Sequence, residues 1–558
     1  MGLKMVDVIE LLSRRKVIKD PDTILSMIPD GAVVAISGFN MITTPEYIME
    51  RLYKLYLKTG HPRKLFLISD TFPGTPGRGF DAIAKMMYER KDMDFIDGML
   101  FAFYGWSESL QKMVKEEWFD AYSWSIGIMA YWFREVGSGR PGVLTKVGLY
   151  TTADPRFDAT ALNEKGRKLR RVKVKLLNID GEEYLLYTAP KPQFGIIRAT
   201  TSDEIGNLSL EDEAALGTVL NIAQAVKAMP NKGTVIAQVL RLARYGSLQP
   251  KEVAVPGPLV DYVVLSPREY HWQSSSFDYN PAISGQIIPP LEREYLTSIE
   301  LTHRKIIARR VMLFLVDLLK EYGRQIVVNL GVGIPATVAD VAVEEEIQDL
   351  VVLTVESGTW GGKPLYGADF GASIGPFATI SIPDQFTMYE GGVIDAASLG
   401  FMQVDKVGNV NSFIMPSRIP GPGGFPAIAT GAPKIYFAGE FTAGRKRIME
   451  VADGKLKIIN DGDIIKFVDS VYKVGCSGKM LGKSKKAVYY ITERAVFKRV
   501  DEGVELIEVA PGIDIEKDIF AKMEFRPIVR KEPEVMDKRL FLPKRMGIKE
   551  EALEYIKR

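Results

Sequence analysis

One pattern occurs twice in the 558 residues and limits the fold more than any other feature. In the first half, "GAVVAISGF" (31–39) is an apolar, strand-like run closing on glycine. A loop then reaches Pro45, "EYIMERLYKLYLK" (46–58) has the apolar spacing of a helix, and "KLFLISD" (64–70) is a strand ending on an acid. In the second half, "RQIVVNLGVGIP" (324–335), "ATVADVAVEEE" (336–346) and "LVVLTVE" (350–356) repeat the order: strand, glycine loop, proline, helix, strand, acid. A second echo joins "SDEIGNLS" (202–209) to "VDKVGNVN" (404–411), each after an apolar run. Strands alternating with helices imply parallel pairing through helical crossovers. The expected fold class is therefore α/β: two related open α/β domains arising by duplication, with mostly parallel sheets and flanking helices.

The expected boundaries are residues 1–270 for the first domain and 296–558 for the second. Between them, 271–295 is largely polar and Pro-rich without periodicity, which suits a linker. A helix over 296–323 opens the second domain, and "KVKLLNIDGEEYLLY" (173–187) predicts a hairpin turning at Asp180-Gly181.

Composition excludes several classes of function. Net charge is +2, which gives no general attraction to nucleic acid or membrane. Cys476 is the single cysteine, and His61, His271 and His303 are scattered, so neither a disulfide nor a metal site is expected. No apolar run approaches the ~18 residues of a membrane helix. The start, "MGLKMVDVIELLSRRK", lacks the apolar core of a signal peptide, and Val6 stands where myristoylation wants Ser or Thr. A soluble cytoplasmic protein is the expectation.

Several motifs need weighing. "NLGVGIPA" (329–336) holds Gly-x-Gly-x-x-Ala between strand and helix, close to a dinucleotide fingerprint, with an acid at 356 where a ribose would need one. Pro335, however, fixes the backbone where a diphosphate would need free amides. An NAD-dependent dehydrogenase is thus a distant reading. "GASIG" (371–375) matches a nucleophile elbow, but Pro376 follows and no histidine lies beyond His303. "SGKMLGKS" (477–484) lacks the first glycine of a P-loop. The basic run "GRKLRRVKVK" (166–175) reads as a solvated hairpin face. The aromatic segment 100–135, with Trp106, Trp118, Trp124 and Trp132, reads as core, or else as a greasy pocket. Gly423 and Gly424 in "PGPGGFP" (420–426) can form a tight turn or offer bare amides to an oxyanion.

"LTVESGTWGG" (353–362) resembles the active-site motif of family I coenzyme A transferases. So do "NLGVGIP", "DQFTMYEGGVIDAASLGFMQVDKVGNVN" (384–411), "GPGGF", the tail "YYITERAVFKR", and "IPDGAVVAISGFN" in the first half. The likeness is closest to the single-chain acyl-CoA:acetate (propionate-type) members. It implies that Glu356 is the catalytic carboxylate. It implies further that Gly331, Val332, Gly333, Ile334 and Pro335 contact CoA, with Arg447 a looser match to a CoA-contacting base. Backbone amides of Gly424 and Phe425 would belong to the oxyanion hole. The implied activity is transfer of CoA between an acyl-CoA and a short-chain carboxylate such as acetate, through a glutamyl-CoA thioester. CoA would be substrate, with no metal or other cofactor, and the enzyme a homo-oligomer, dimer or tetramer. An acyl-CoA hydrolase on the same scaffold is the near alternative, and a non-catalytic ligand-sensing module a far one. The chain departs from the family pattern at Ser37, at Thr43 and Thr44 before Pro45, and at Trp360, which bears on the acyl pocket.

Overall fold

In a computed structural model, residues 5–18, 20–287, 289 and 299–556 are described. Parts of the linker and of the 296–323 helix, and the start of the chain through residue 4, lie outside them.

Two ten-stranded sheets form the body. In the first, five central strands run side by side in the order Leu65–Ser69, Val33–Ile36, Phe194–Asp203, Thr234–Ala243, Tyr262–Leu265, all parallel. In the second the order is Val351–Thr354, Ile326–Leu330, Ala396–Leu399, Lys434–Ala438, Ala487–Ile491, again all parallel. The two orders match strand for strand, so the repeated pattern in the sequence is a repeated fold. Antiparallel strands Ala495–Val500 and Gly503–Val509 extend only the second sheet.

The second echo is also structural. Asp203 Oδ1 accepts from the backbone N–H of Ile205 and Asn207, and Asn207 Nδ2 donates to Asp203 Oδ2 at 2.8 Å. Asp405 makes the same set with Val407 and Asn409, the last bond at 2.9 Å. Gly206 and Gly408 take φ of 89° and 82°, which explains a glycine at that place in both turns.

The predicted helices appear as Glu46–Thr59 and Thr337–Glu344, and the hairpin turns at Asp180-Gly181 between Lys173–Ile179 and Glu182–Thr188. The helix expected from 296 begins instead at His303, because the Thr302 side chain accepts from Lys305 N and caps it there. The basic run is not one solvated face. Glu164–Leu169 is a helix, and the half-buried Arg171 is bound to the buried Asp120. The described part of 271–295 packs rather than hangs. Ser274 Oγ donates to Asp369 at 2.7 Å and Gly375 N donates to Ala282 O at 2.8 Å, tying it to the second half.

The halves share core as well. Helix Ile126–Gly137 lies on helix Ile382–Glu390, and a Cβ on Gly127 would come within 2.6 Å of the Phe386 ring. Only glycine lets the two backbones approach so closely.

Candidate active site

Strands Ile326–Leu330 and Ala396–Leu399 are neighbours, yet strand Val351–Thr354, which lies between them in the chain, pairs on the far side. The direction of winding therefore changes at this point, and open α/β sheets bind ligands beyond the strand ends at such a place. Gly331, Glu356 and Gly400 follow those three strands and line one cleft of about 350 Å³.

Local geometry explains the carboxylate and the glycine behind it. The Val351–Thr354 strand is wholly buried, and the chain turns back after it: Gly358 N donates to Val355 O, and Val355 N donates to Thr359 O. Gly358 has φ 106°, and a Cβ there would lie 1.9 Å from Ile380 O. The turn needs glycine and puts Glu356 at its tip. Ser357 Oγ donates to Gly371 O at 2.5 Å and anchors the turn.

Glu356 is only 7% exposed. Burial pushes its pKa up to about 7, opposed by the neighbouring Gly424 backbone N–H. A desolvated carboxylate without a counter-ion is more reactive than one in water. A Cβ on Gly424 would fall 2.5 Å from Glu356 Cδ, so this glycine is the close approach that the site requires. The Gly424 loop belongs to the second half but is held by the first: Gly423 N donates to Ala102 O, Ile126 N to Gly423 O, and Tyr104 N to Pro420 O.

The other expected site residues are placed unequally. Gly331 and Val332 line the cleft, and Val332 is 49% exposed. Gly333, Ile334 and Pro335 form the tight turn just beyond, with Gly333 at φ 90° and open space on its Cβ side. Two of the expected residues are engaged with protein partners. The Phe425 N–H is spent on Pro422 O at 3.3 Å, so in this loop the amide facing the carboxylate is that of Gly424. Arg447 does not line the cleft. Its guanidinium pairs with Glu440 at 2.5 Å and donates to Thr442 O, because the Glu440 carboxylate lies at hand. Ser37, Thr43 and Trp360 also stand back from the cleft, with Trp360 Nε1 donating to Gln385 at 2.6 Å. Residue-level reasoning missed the Ser412 hydroxyl, which lines the cleft with no protein partner. It also left Trp106 undecided. Trp118, Trp124 and Trp132 are core, but Trp106 lines the cleft.

The first half contains the same parts in a different arrangement. Asp70 ends its strand as Glu356 does, is buried, and has its pKa pushed by burial up to about 7. Counting back equally from Asp203 and Asp405, Arg198 takes the place of Gly400. The buried Arg198 pairs with Glu213 at 2.5 Å and donates to Thr44 O at 3.1 Å, and the pair lines a separate polar cavity of about 380 Å³ that Asp70 does not line. One carboxylate of the two therefore faces a cleft.

The fold and the strand-end carboxylate define an α/β protein with a buried acid close under the Gly424 backbone at the mouth of a cleft. A sequence profile of the Coenzyme A transferase family matches residues 18–266. The chain is 35% identical to caffeate CoA-transferase of Acetobacterium woodii over 94% of its own length and 97% of that protein. It is also 35% identical to acetate CoA-transferase YdiF of Escherichia coli O157:H7, covering 94% of each. The crystal structure of YdiF in its thioester complex with CoA superposes with a TM-score of 0.84 at 34% identity, over 96% of this chain and 98% of that one. The chain belongs to the coenzyme A transferase family, and it moves CoA between an acyl-CoA and a free carboxylate.

Proposed function

We propose that Glu356 carries this transfer as a covalent nucleophile. A carboxylate oxygen attacks the thioester carbonyl; the C–O bond forms and the C–S bond breaks. CoA leaves as thiolate, which needs no general acid because its conjugate thiol has a pKa near ~8.5. The thiolate then attacks Glu356 Cδ in the mixed anhydride. A glutamyl-CoA thioester forms and the acyl group departs as its carboxylate. An incoming carboxylate reverses the two steps. The Gly424 N–H is positioned to hold oxyanion charge during each attack. The 331–335 turn receives CoA, whose remote binding supplies energy to a barrier that a weak nucleophile leaves high. The observation that carries the reading is the buried Glu356 under Gly424 at the mouth of the cleft. The same burial favours transfer over hydrolysis, since water has little access to the thioester.

Acyl-CoA added without acceptor is expected to add the mass of CoA, less water, to the peptide containing Glu356, in protein dialysed against EDTA as well as in untreated protein. Borohydride is expected to inactivate only after acyl-CoA has been added. An adduct on another peptide, or inactivation without acyl-CoA, would sink the assignment; adduct formation lost to EDTA would show that a metal is needed.

The division into domains 1–270 and 296–558, work in the cytoplasm, and assembly as a homo-oligomer belong to the same proposal. Sedimentation of the purified chain is expected to give twice or four times the 62.2 kDa of one copy, and a monomer would overturn the assembly.

A further inference from the structure

Every molecule that enters or leaves this reaction is an anion at neutral pH. Acyl-CoA and CoA carry phosphates, and both free acids are carboxylates. The group they must approach, Glu356, is itself an acid. In a cleft walled by rings such as Phe39, Phe103 and Phe401, repulsion between like charges is screened less than in water. Among the described residues that line this cleft, only Glu356 and Arg418 carry a formal charge.

Arg418 is exposed, and its guanidinium has no partner among the described residues, in contrast to Arg198 and Arg447, each bound to a glutamate. Its backbone, by comparison, is tightly held. Met415 N donates to Arg418 O at 2.8 Å and Arg418 N donates to Met415 O at 3.0 Å, which closes a tight turn. The first half grips this turn on both flanks. Lys115 Nζ donates to Ser417 O at 2.6 Å, and Ile419 N donates to Gln111 Oε1 at 2.8 Å, both partners coming from helix Glu108–Lys115. A fixed backbone thus carries a free cation at the cleft, and a ligand meets it with no ion pair to break.

We propose that Arg418 is the anion-capturing residue of this cleft: its guanidinium binds a negatively charged oxygen group of the substrates, phosphate or carboxylate, and offsets the repulsion from Glu356. This rests on the transfer reading above and deepens it. A guanidinium can meet either group with two parallel N–H donors. In this role it touches no reacting atom. It favours productive encounter, so its effect falls on kcat/KM and weakens with salt.

The test measures kcat/KM at low and high NaCl for an acyl-CoA with an uncharged acyl group, for the matching acyl-pantetheine, which lacks phosphates, and for the carboxylate acceptor. Arg418→Gln is expected to lower kcat/KM about 10-fold at low salt for acyl-CoA, for the acceptor or for both, mainly through KM, and to flatten the fall with salt shown by wild type. Arg418→Lys keeps the charge and is expected to retain most of both properties. A loss with acyl-CoA that disappears with acyl-pantetheine assigns the phosphates, and a loss with the acceptor assigns its carboxylate. Melting curves verify that the turn survives, and the salt slope is a readout that a merely structural defect would not move. Wild-type kcat/KM for both acyl-CoA and acceptor in Arg418→Gln, an equal loss with the uncharged acyl-pantetheine, an unchanged salt slope, or a Lys variant as impaired as the Gln variant would each overturn the proposal. The CoA adduct on Glu356 separates the two readings: its formation in wild type alongside an unaffected Arg418→Gln sinks this inference alone, and its absence from wild type sinks the transfer mechanism.

Discussion

Glu356→Gln is expected to abolish transfer and to leave the chain more stable than wild type at pH 8. The amide keeps the shape of the carboxylate and can still accept from Gly424 N–H, so folding is preserved. It has no anionic oxygen to attack a thioester, and turnover should fall at least about 10⁴-fold, as when other covalent nucleophiles are removed. The stability effect follows from burial, which raises Glu356 from an ordinary 4.5 to about 7. The folded state therefore holds this proton more tightly than the unfolded chain. The stabilisation is complete below pH 4.5 and is lost as pH rises through about 7, and beyond that the wild type carries the cost of a buried charge. At about 1.4 kcal/mol per pKa unit the cost is about 3 kcal/mol. Urea midpoints should thus coincide for the two proteins at pH 4 and separate at pH 8, with the variant higher. Asp70, shifted in the same direction, leaves some pH dependence in both. A variant equally destabilised at both values would mean that Glu356 is not held as a desolvated acid. The same pKa predicts that wild-type kcat/KM climbs through pH 7 as the free-enzyme carboxylate ionises.

Gly424→Ala should cost about 10²- to 10³-fold in kcat/KM while leaving the fold intact. Gly424 has φ −82° and ψ −13°, which alanine adopts without strain. The new methyl would stand 2.5 Å from Glu356 Cδ and 2.6 Å from Oε2. The Glu356 side chain can swing aside, so the collision is relieved by displacing the nucleophile rather than by unfolding the loop. Loss of the Gly424 N–H contact follows from the same movement. Single-turnover thiol release with matched melting curves reads both effects. Near wild-type release would mean that the carboxylate reaches the thioester from another direction. A large drop in melting temperature would mean that the loop cannot yield.

Much of this protein is written locally in its sequence. Runs such as "LVVLTVE" have the length and composition of buried strands, and glycine marks the turns where φ is positive, at Gly181, Gly206, Gly358 and Gly408. The repeated order of these signals revealed the duplication and placed Glu356 at a strand end, because strand period, turn chemistry and helix spacing are short-range properties. Helix starts were less legible: Thr302 capped its helix seven residues later than apolar spacing suggested. Which of two strand-end acids meets a cleft was not written locally at all. Asp70 and Glu356 end equivalent strands and are shifted alike; Asp70 is buried and accepts from the Thr218 hydroxyl, while Glu356 lines the cleft beside Gly400. The cleft gathers Phe39, Phe103, Trp106 and Phe370 from both halves, and the Gly424 loop takes its position from the backbone of Ala102 and Ile126. Those contacts depend on how two sheets and their loops pack across hundreds of residues, where no local period reaches, so tertiary structure alone decided them.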